Sequence, residues 1–138
     1  MAASGPRRYM IASWGVAVAV LLVGAVLATG ALAGVSHHDS KLTISRALPL
    51  YHGKVKSQAA QCERGRRVVL YEKRAGSDRK VGADRTSRSG KWKVRVPLAQ
   101  LEPLDRFYAQ VRRKLNIVSG DGYECRADRS RTRTFVGD

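Results

Sequence analysis

Acidic side chains are scarce in this sequence: 11 Asp and Glu stand against 26 Lys and Arg, for a formal net charge of +15. A field of that sign repels cationic partners and draws anionic polymers or anionic membrane surfaces. The few carboxylates are scattered and mostly flanked by arginine, in the manner of surface ion pairs, so no acid and base couple stands out. Histidine is equally thin. Of the three, His37 and His38 lie beside Asp39 in a polar stretch with no further His or Cys ligand in view. A solvated segment explains that trio more simply than a metal site. His52 falls on the polar side of a strand. No serine sits in a nucleophile elbow, and no glycine-rich run resembles a phosphate loop. Enzymatic chemistry, a metal and a cofactor are therefore not expected.

Cysteine is limited to Cys62 and Cys125. Without a CxxC spacing the pair does not look like a zinc site, and in an oxidising compartment it is expected to close a disulfide. Such a bridge closes a loop of about 60 residues, which favours the folded state by roughly 4 kcal/mol on the chain-entropy account. The plainer alternative is two unpaired buried thiols.

What the chain does have at its start is an address. Residues Ile11 to Leu27 carry no charge and follow a short basic segment whose only ionisable side chains are Arg7 and Arg8. That is the layout of an export signal, with Ala31 and Ala33 as small residues for a peptidase after Ala33. The pair of arginines also resembles the start of a twin-arginine signal. The alternative is an uncleaved anchor through residues 11–27, which come close to the length that spans a bilayer. Both readings put the remainder outside the cytoplasm, secreted or tethered, because a basic flank stays inside. The expected division is a signal or anchor helix at 1–33, a linker or entry strand at 34–48, and one small domain at 49–138.

That domain reads as all-β. Segments of five to eight residues alternate in polarity between Gly, Ser or Asp clusters, the pattern of an antiparallel β-sandwich of about seven strands. "LTISRALPL" would add an entry strand that Pro49 confines to an edge or ends. "YHGKVKS" sets Tyr51, Gly53 and Val55 on one side. "RRVVLYEK" is apolar on both faces and belongs mid-sheet or under a loop. "KWKVRV" sends Trp92, Val94 and Val96 one way and Lys91, Lys93 and Arg95 the other. Gly90 before it suits a turn that needs positive φ, so Val81 to Val94 is expected as a hairpin. "PLAQLEPLDRF" reads as a loop with one short helical turn, and Phe107, Ala109 and Val111 point inward after it. The run from Gly120 to Phe135 is expected to turn and become the last strand.

In "GADRTSRSGKWKV" the residues Gly82, Thr86, Gly90 and Trp92 match the pattern G-x-x-x-T-[DS]-x-x-G-x-[WYF]. The stretch resembles the hairpin of small extracellular β-sandwiches, the transthyretin-like, carboxypeptidase-regulatory-like and collagen-adhesin B-type group. The likeness runs over about residues 50 to 135 and implies a sandwich that serves as a spacer, adhesive or accessory module. Ser87 stands where many relatives carry aspartate. The only asparagine, Asn116, lies outside the last strand and does not favour the isopeptide bond known in the adhesin branch.

Arginine well outnumbers lysine, and guanidinium pairs with phosphate or carboxylate through two parallel bonds. In the last strand Arg129, Arg131 and Arg133 alternate with Ser130, Thr132 and Thr134. Inward-facing Cys125 and Ala127 would send those arginines into the core, which is too costly for unpaired charges. A bulge near Asp128, or departure of the strand from the core, is therefore expected to leave a row of guanidinium groups about 6 to 7 Å apart. Lys91, Lys93, Arg112 and Arg113 would enlarge this anionic-polymer face, while a solvated edge strand guarded by its charges is the plainer alternative. The expected role is a non-enzymatic extracytoplasmic structural or interaction module on an anionic envelope polymer or surface. The alternative is a secreted nucleic-acid-binding domain.

Overall fold

The computed structural model describes residues 34–118 and 121–134, and the expected signal or anchor segment, 1–33, lies outside the described residues. The described chain is all-β, in the order β1 (Val35–His38), β2 (Ser40–Leu42), β3 (Ser45–Ala47), β4 (Leu50–Ser57), β5 (Arg67–Lys73), β6 (Arg79–Arg85), β7 (Lys91–Arg95), β8 (Arg106–Val111), β9 (Lys114–Val118), β10 (Asp121–Cys125), β11 (Asp128–Arg129) and β12 (Arg133–Thr134). Short 3₁₀ turns occupy Ala60–Cys62 and Leu98–Gln100, the second in the expected proline-bounded loop. Twelve strands replace the seven or so expected, and the segment 34–48 supplies β1, β2 and β3.

Part of the excess is interruption. β2 and β3 keep one register against β4, from Ser40 opposite Ser57 to Ala47 opposite Leu50, and are parted at Thr43. There the Thr43 hydroxyl takes the Lys54 N–H at 2.9 Å, a bond that a backbone carbonyl would otherwise receive. β11 and β12 likewise lie along one edge of β8, but their register slips by one residue between Arg129 opposite Gln110 and Arg133 opposite Phe107. The rest of the excess is a third sheet that alternation did not announce. β10 pairs antiparallel with β9 and parallel with β1, so the arrangement is not purely antiparallel.

The two larger sheets are β2/β3–β4–β7 and β6–β5–β8 with β11 and β12 on its far edge. Tyr51, Val55, Trp92 and Val94 from the first meet Val68, Leu70, Phe107, Ala109 and Val111 from the second in one buried cluster. The Tyr51 and Phe107 rings lie 4.7 Å apart. Each such side chain removed from water contributes about 1.5–3 kcal/mol, which is why a period of two suffices to orient these strands. β5, apolar on both faces, lies between β6 and β8 as a mid-sheet strand. At Gly53 the backbones approach so closely that a Cβ would run into the Thr43 carbonyl oxygen.

The stretch expected as a hairpin is a corner instead. β6 pairs only with β5 and β7 only with β4, so the chain crosses from one sheet to the other at Thr86 to Gly90. Gly90 has φ 78° as the turn requires. Ser87 accepts the Gly90 N–H on its carbonyl at 3.0 Å and the Lys91 N–H on its hydroxyl at 3.2 Å. Thr86 is buried; its hydroxyl donates to the Glu63 carbonyl at 2.6 Å and accepts the Arg66 N–H at 2.8 Å. The expected disulfide is present: Cys62, ending the first 3₁₀ turn, and Cys125, ending β10, are bridged with Cα atoms 5.3 Å apart. It pins the small sheet to the loop before β5.

Candidate anion-binding surface

Most of the carboxylates among the described residues have partners within the fold. Asp128 leaves β11 and its Oδ2 accepts the Leu42 N–H at 2.6 Å, tying the edges of the two larger sheets. Asp84 accepts the Arg85 and Lys93 N–H groups, both at 2.8 Å, and so braces the corner between β6 and β7. Asp105 and Glu63 accept the N–H groups of Glu102 and Ser57. Glu72 lies between Arg74 and Arg79, Glu124 between His37 and Arg113, and Asp39 beside Arg126. With the acids so engaged, the cationic side chains dominate what solvent meets.

Arg129, Arg131 and Arg133 are exposed and line one groove of about 450 Å³ with Lys41 to Ile44 and Asp128. The structure therefore brings these three together, though not as the unbroken row expected from alternation. Ser130 is what breaks it. Buried, it exchanges two bonds with Ala109, N–H to carbonyl and hydroxyl from N–H, each 2.9 Å, and the slipped register follows. The irregularity thus falls after Arg129 rather than near Asp128, and Ala127 is exposed instead of inward. Asp128 is the inward-facing residue there, and a hydrogen bond satisfies it.

Arg129 is positioned by an aromatic pair on the outer face of its sheet. Its guanidinium carbon lies 3.6 Å from the Tyr108 ring centroid, and Tyr108 stacks on Tyr71 at 5.4 Å and 17°. Cation–π contact of this kind orients the guanidinium plane over the ring. The Tyr108 hydroxyl donates to Asp78 Oδ2 at 2.7 Å. That bond, with the Arg74 N–H on the same carboxylate, holds Asp78 below the usual carboxylate range. Burial, then the Asp78 bond, pushes the Tyr108 phenol up.

Lys91 and Lys93 stand exposed on the outer face of β7 and line a larger groove of about 780 Å³ with His52, Lys54 and Arg85. Thr43, between β2 and β3, is a lining residue of both grooves. Arg112 and Arg113 line neither. They join β8 to β9, Arg113 beside Glu124 at 3.4 Å.

Sequence reasoning passed over Lys41, whose place in the arginine groove depends on the pairing of β2, and the Tyr71–Tyr108 stack, which depends on the pairing of β5 with β8. It also passed over Arg66, 1% exposed. Its Nη1 donates to the Cys62 carbonyl at 2.8 Å and the Ser40 hydroxyl at 3.0 Å. Nη2 donates to the Arg112 and Arg126 carbonyls at 2.7 and 3.0 Å. Burial pushes its pKa down, and these oxygens take the place of a carboxylate. Arg66 is thus a structural cation beside the disulfide and is not available to a ligand.

Among the described residues no cluster of three or more His, Cys, Asp or Glu has a metal-holding arrangement, and no helix is long and apolar enough to cross a membrane. No protein-family model matches the chain, and comparison with curated proteins gives no match.

Proposed function

We propose that this protein is a non-enzymatic interaction module that holds an anionic polymer outside the cytoplasm, secreted or tethered through residues 11–27, on a β-sandwich of the transthyretin-like kind. The observation that carries the reading is the separation of charge: most carboxylates are held by backbone or by arginine, while Arg129, Arg131 and Arg133 line one open groove beside Lys41, with the Arg129 guanidinium lying over the Tyr108 ring. A groove lined by one sign of charge concentrates counter-ions of the other. Asp84 and Asp128, the carboxylates lining the two grooves, both accept backbone N–H groups. The disulfide and the export-like leader support an extracytoplasmic site.

The deciding experiment replaces Arg129, Arg131 and Arg133 together with glutamine. Retention on an anionic resin and on isolated cell-wall material should fall, with a shallower salt dependence than the parent. Unchanged retention on both would leave the groove without a role.

One observation favours a second reading, a secreted domain for single-stranded nucleic acid: the partly exposed Tyr71 on the stack that Arg129 caps. Bases stack on such rings. Quenching of tyrosine fluorescence by an oligonucleotide, abolished by Tyr71→Ala, would distinguish it.

A further inference from the structure

The outer face of the β4 sheet is built against its own stability. Across β2 and β4, Lys41 lies directly opposite Lys56; across β4 and β7, Lys54 lies opposite Lys91. Neighbouring strands are only about 4.8 Å apart. Like charges directly opposed at that spacing destabilise a sheet, whereas a lysine opposite a glutamate stabilises it and is as soluble. Two carboxylates lie near these lysines, Asp39 by Lys41 and Lys56 and Asp84 by Lys54 and Lys91. Asp39 is paired with Arg126 and Asp84 accepts backbone N–H groups, so neither is bonded to an opposed lysine and the cations outnumber them. A local conflict repeated on one face and only partly compensated within the fold points to a surface shaped for a ligand.

The form of the surface says what kind of ligand. Lysine stems line the 780 Å³ groove, and Thr43 is shared between its lining and that of the arginine groove. A small anion would need a single point of convergence, and a track leading from β7 over β4 and the edge strand suits a chain. Ammonium groups are compact point charges with freely turning donors, so they follow the tetrahedral oxygens of successive phosphodiesters without needing the fixed planar alignment of a guanidinium. The aromatic residue among the groove's lining, Trp92, packs into the core at 2% exposure and so gives a base little face to stack on.

We propose that this face binds a linear, base-free phosphodiester chain, laid across β7 and β4 and over the edge strand into the arginine groove. The proposal rests on the reading of the module as a polyanion binder and adds to it the face, the direction of the chain and its chemistry.

The test titrates the full chain, in mild detergent, with poly(glycerol phosphate), an oligo-dT of equal charge and a polyuronate, each over a range of salt. Poly(glycerol phosphate) should bind most tightly. The pair Lys54→Gln and Lys91→Gln should weaken it about tenfold and reduce the salt slope by about 1.4, taking about 0.7 per phosphate neutralised on a single strand. The same pair should raise the melting temperature of the free protein, because the opposed charges are gone. Lys73→Gln with Lys80→Gln, which removes equal charge from the other sheet, should leave the affinity nearly unchanged.

If the Lys54 and Lys91 variant binds like the parent while the arginine triple variant does not, the lysine face is refuted and polyanion binding stands. If the parent binds none of the three polymers, both fall. Tighter binding of oligo-dT, with tyrosine quenching, moves the site to the Tyr71–Tyr108 face and overturns the proposal. Preference for the polyuronate overturns the phosphodiester assignment.

Discussion

Replacing Arg66 with methionine, a side chain of comparable reach, should cost about 3 kcal/mol. The magnitude follows from what is left behind. The carbonyl oxygens of Cys62, Arg112 and Arg126 lose the donors that the guanidinium supplies at 2.7–3.0 Å, and the site is buried. Each buried acceptor left unpaired costs about 1–3 kcal/mol. The lower end applies because removing the charge also removes its own desolvation penalty. Against a total stability of about 5–15 kcal/mol the loss is large. Urea unfolding at pH 7, followed by tryptophan fluorescence, should show the midpoint falling by about 1–3 M with an unchanged slope, given m-values of about 1–3 kcal/mol/M. Arg66→Lys should lie between, since an ammonium has three donors for four acceptors. A methionine variant within about 0.5 kcal/mol of the parent, the usual spread for surface changes, would refute the reasoning. It would mean that water satisfies the three carbonyls and that the guanidinium ties nothing together.

The Tyr51 hydroxyl is buried without a partner, so Tyr51→Phe should stabilise the protein by about 1 kcal/mol in the same assay. Burial first of all pushes the Tyr51 phenol up to about 12, so the folded state holds the proton more tightly than the unfolded one and stability falls as the pH rises from about 10 towards 12. Alkaline melts of the phenylalanine variant should lack that component of the fall. At the other end of the scale, burial opposes ionisation of Glu72, but hydrogen bonds and charge from Arg74 and Arg79 outweigh it and hold the carboxyl below its usual range. Its stabilisation is present above about pH 4.3 and disappears as the pH drops through the lower folded value. Melting temperatures from pH 6 to pH 2 should therefore fall less steeply for Glu72→Gln, and parallel curves would disprove the pairing.

The strand "KWKVRV" shows how far local pattern reaches. Trp92, Val94 and Val96 are buried and Lys91, Lys93 and Arg95 exposed, as alternation requires, because a pleat has a period of two whatever it pairs with. The same pattern carried no information about the partner. β6 and β7 read as a hairpin because they are adjacent in sequence, yet each found its ladder in a different sheet. Arg129, Arg131 and Arg133 were correctly read as kept from the core. The burial of Ser130 against Ala109, which breaks their row, depends on β8 lying beside them. Arg66 was invisible for a related reason: a guanidinium is buried only where separate loops happen to aim carbonyl oxygens at one point, and composition treats every arginine as a surface group.

By itself the chain's residue order determined the all-β class, the inward faces of β4, β7 and β8, the positive-φ turn at Gly90 and the sulfur pair. All of these follow from interactions within a few residues or from the elimination of partners. The tertiary structure alone decided which strands share a sheet, that a third sheet exists, and that lysines remote in sequence stand opposite one another. Ladder partners are chosen by long-range packing and hydrogen bonding, to which a period of two is blind.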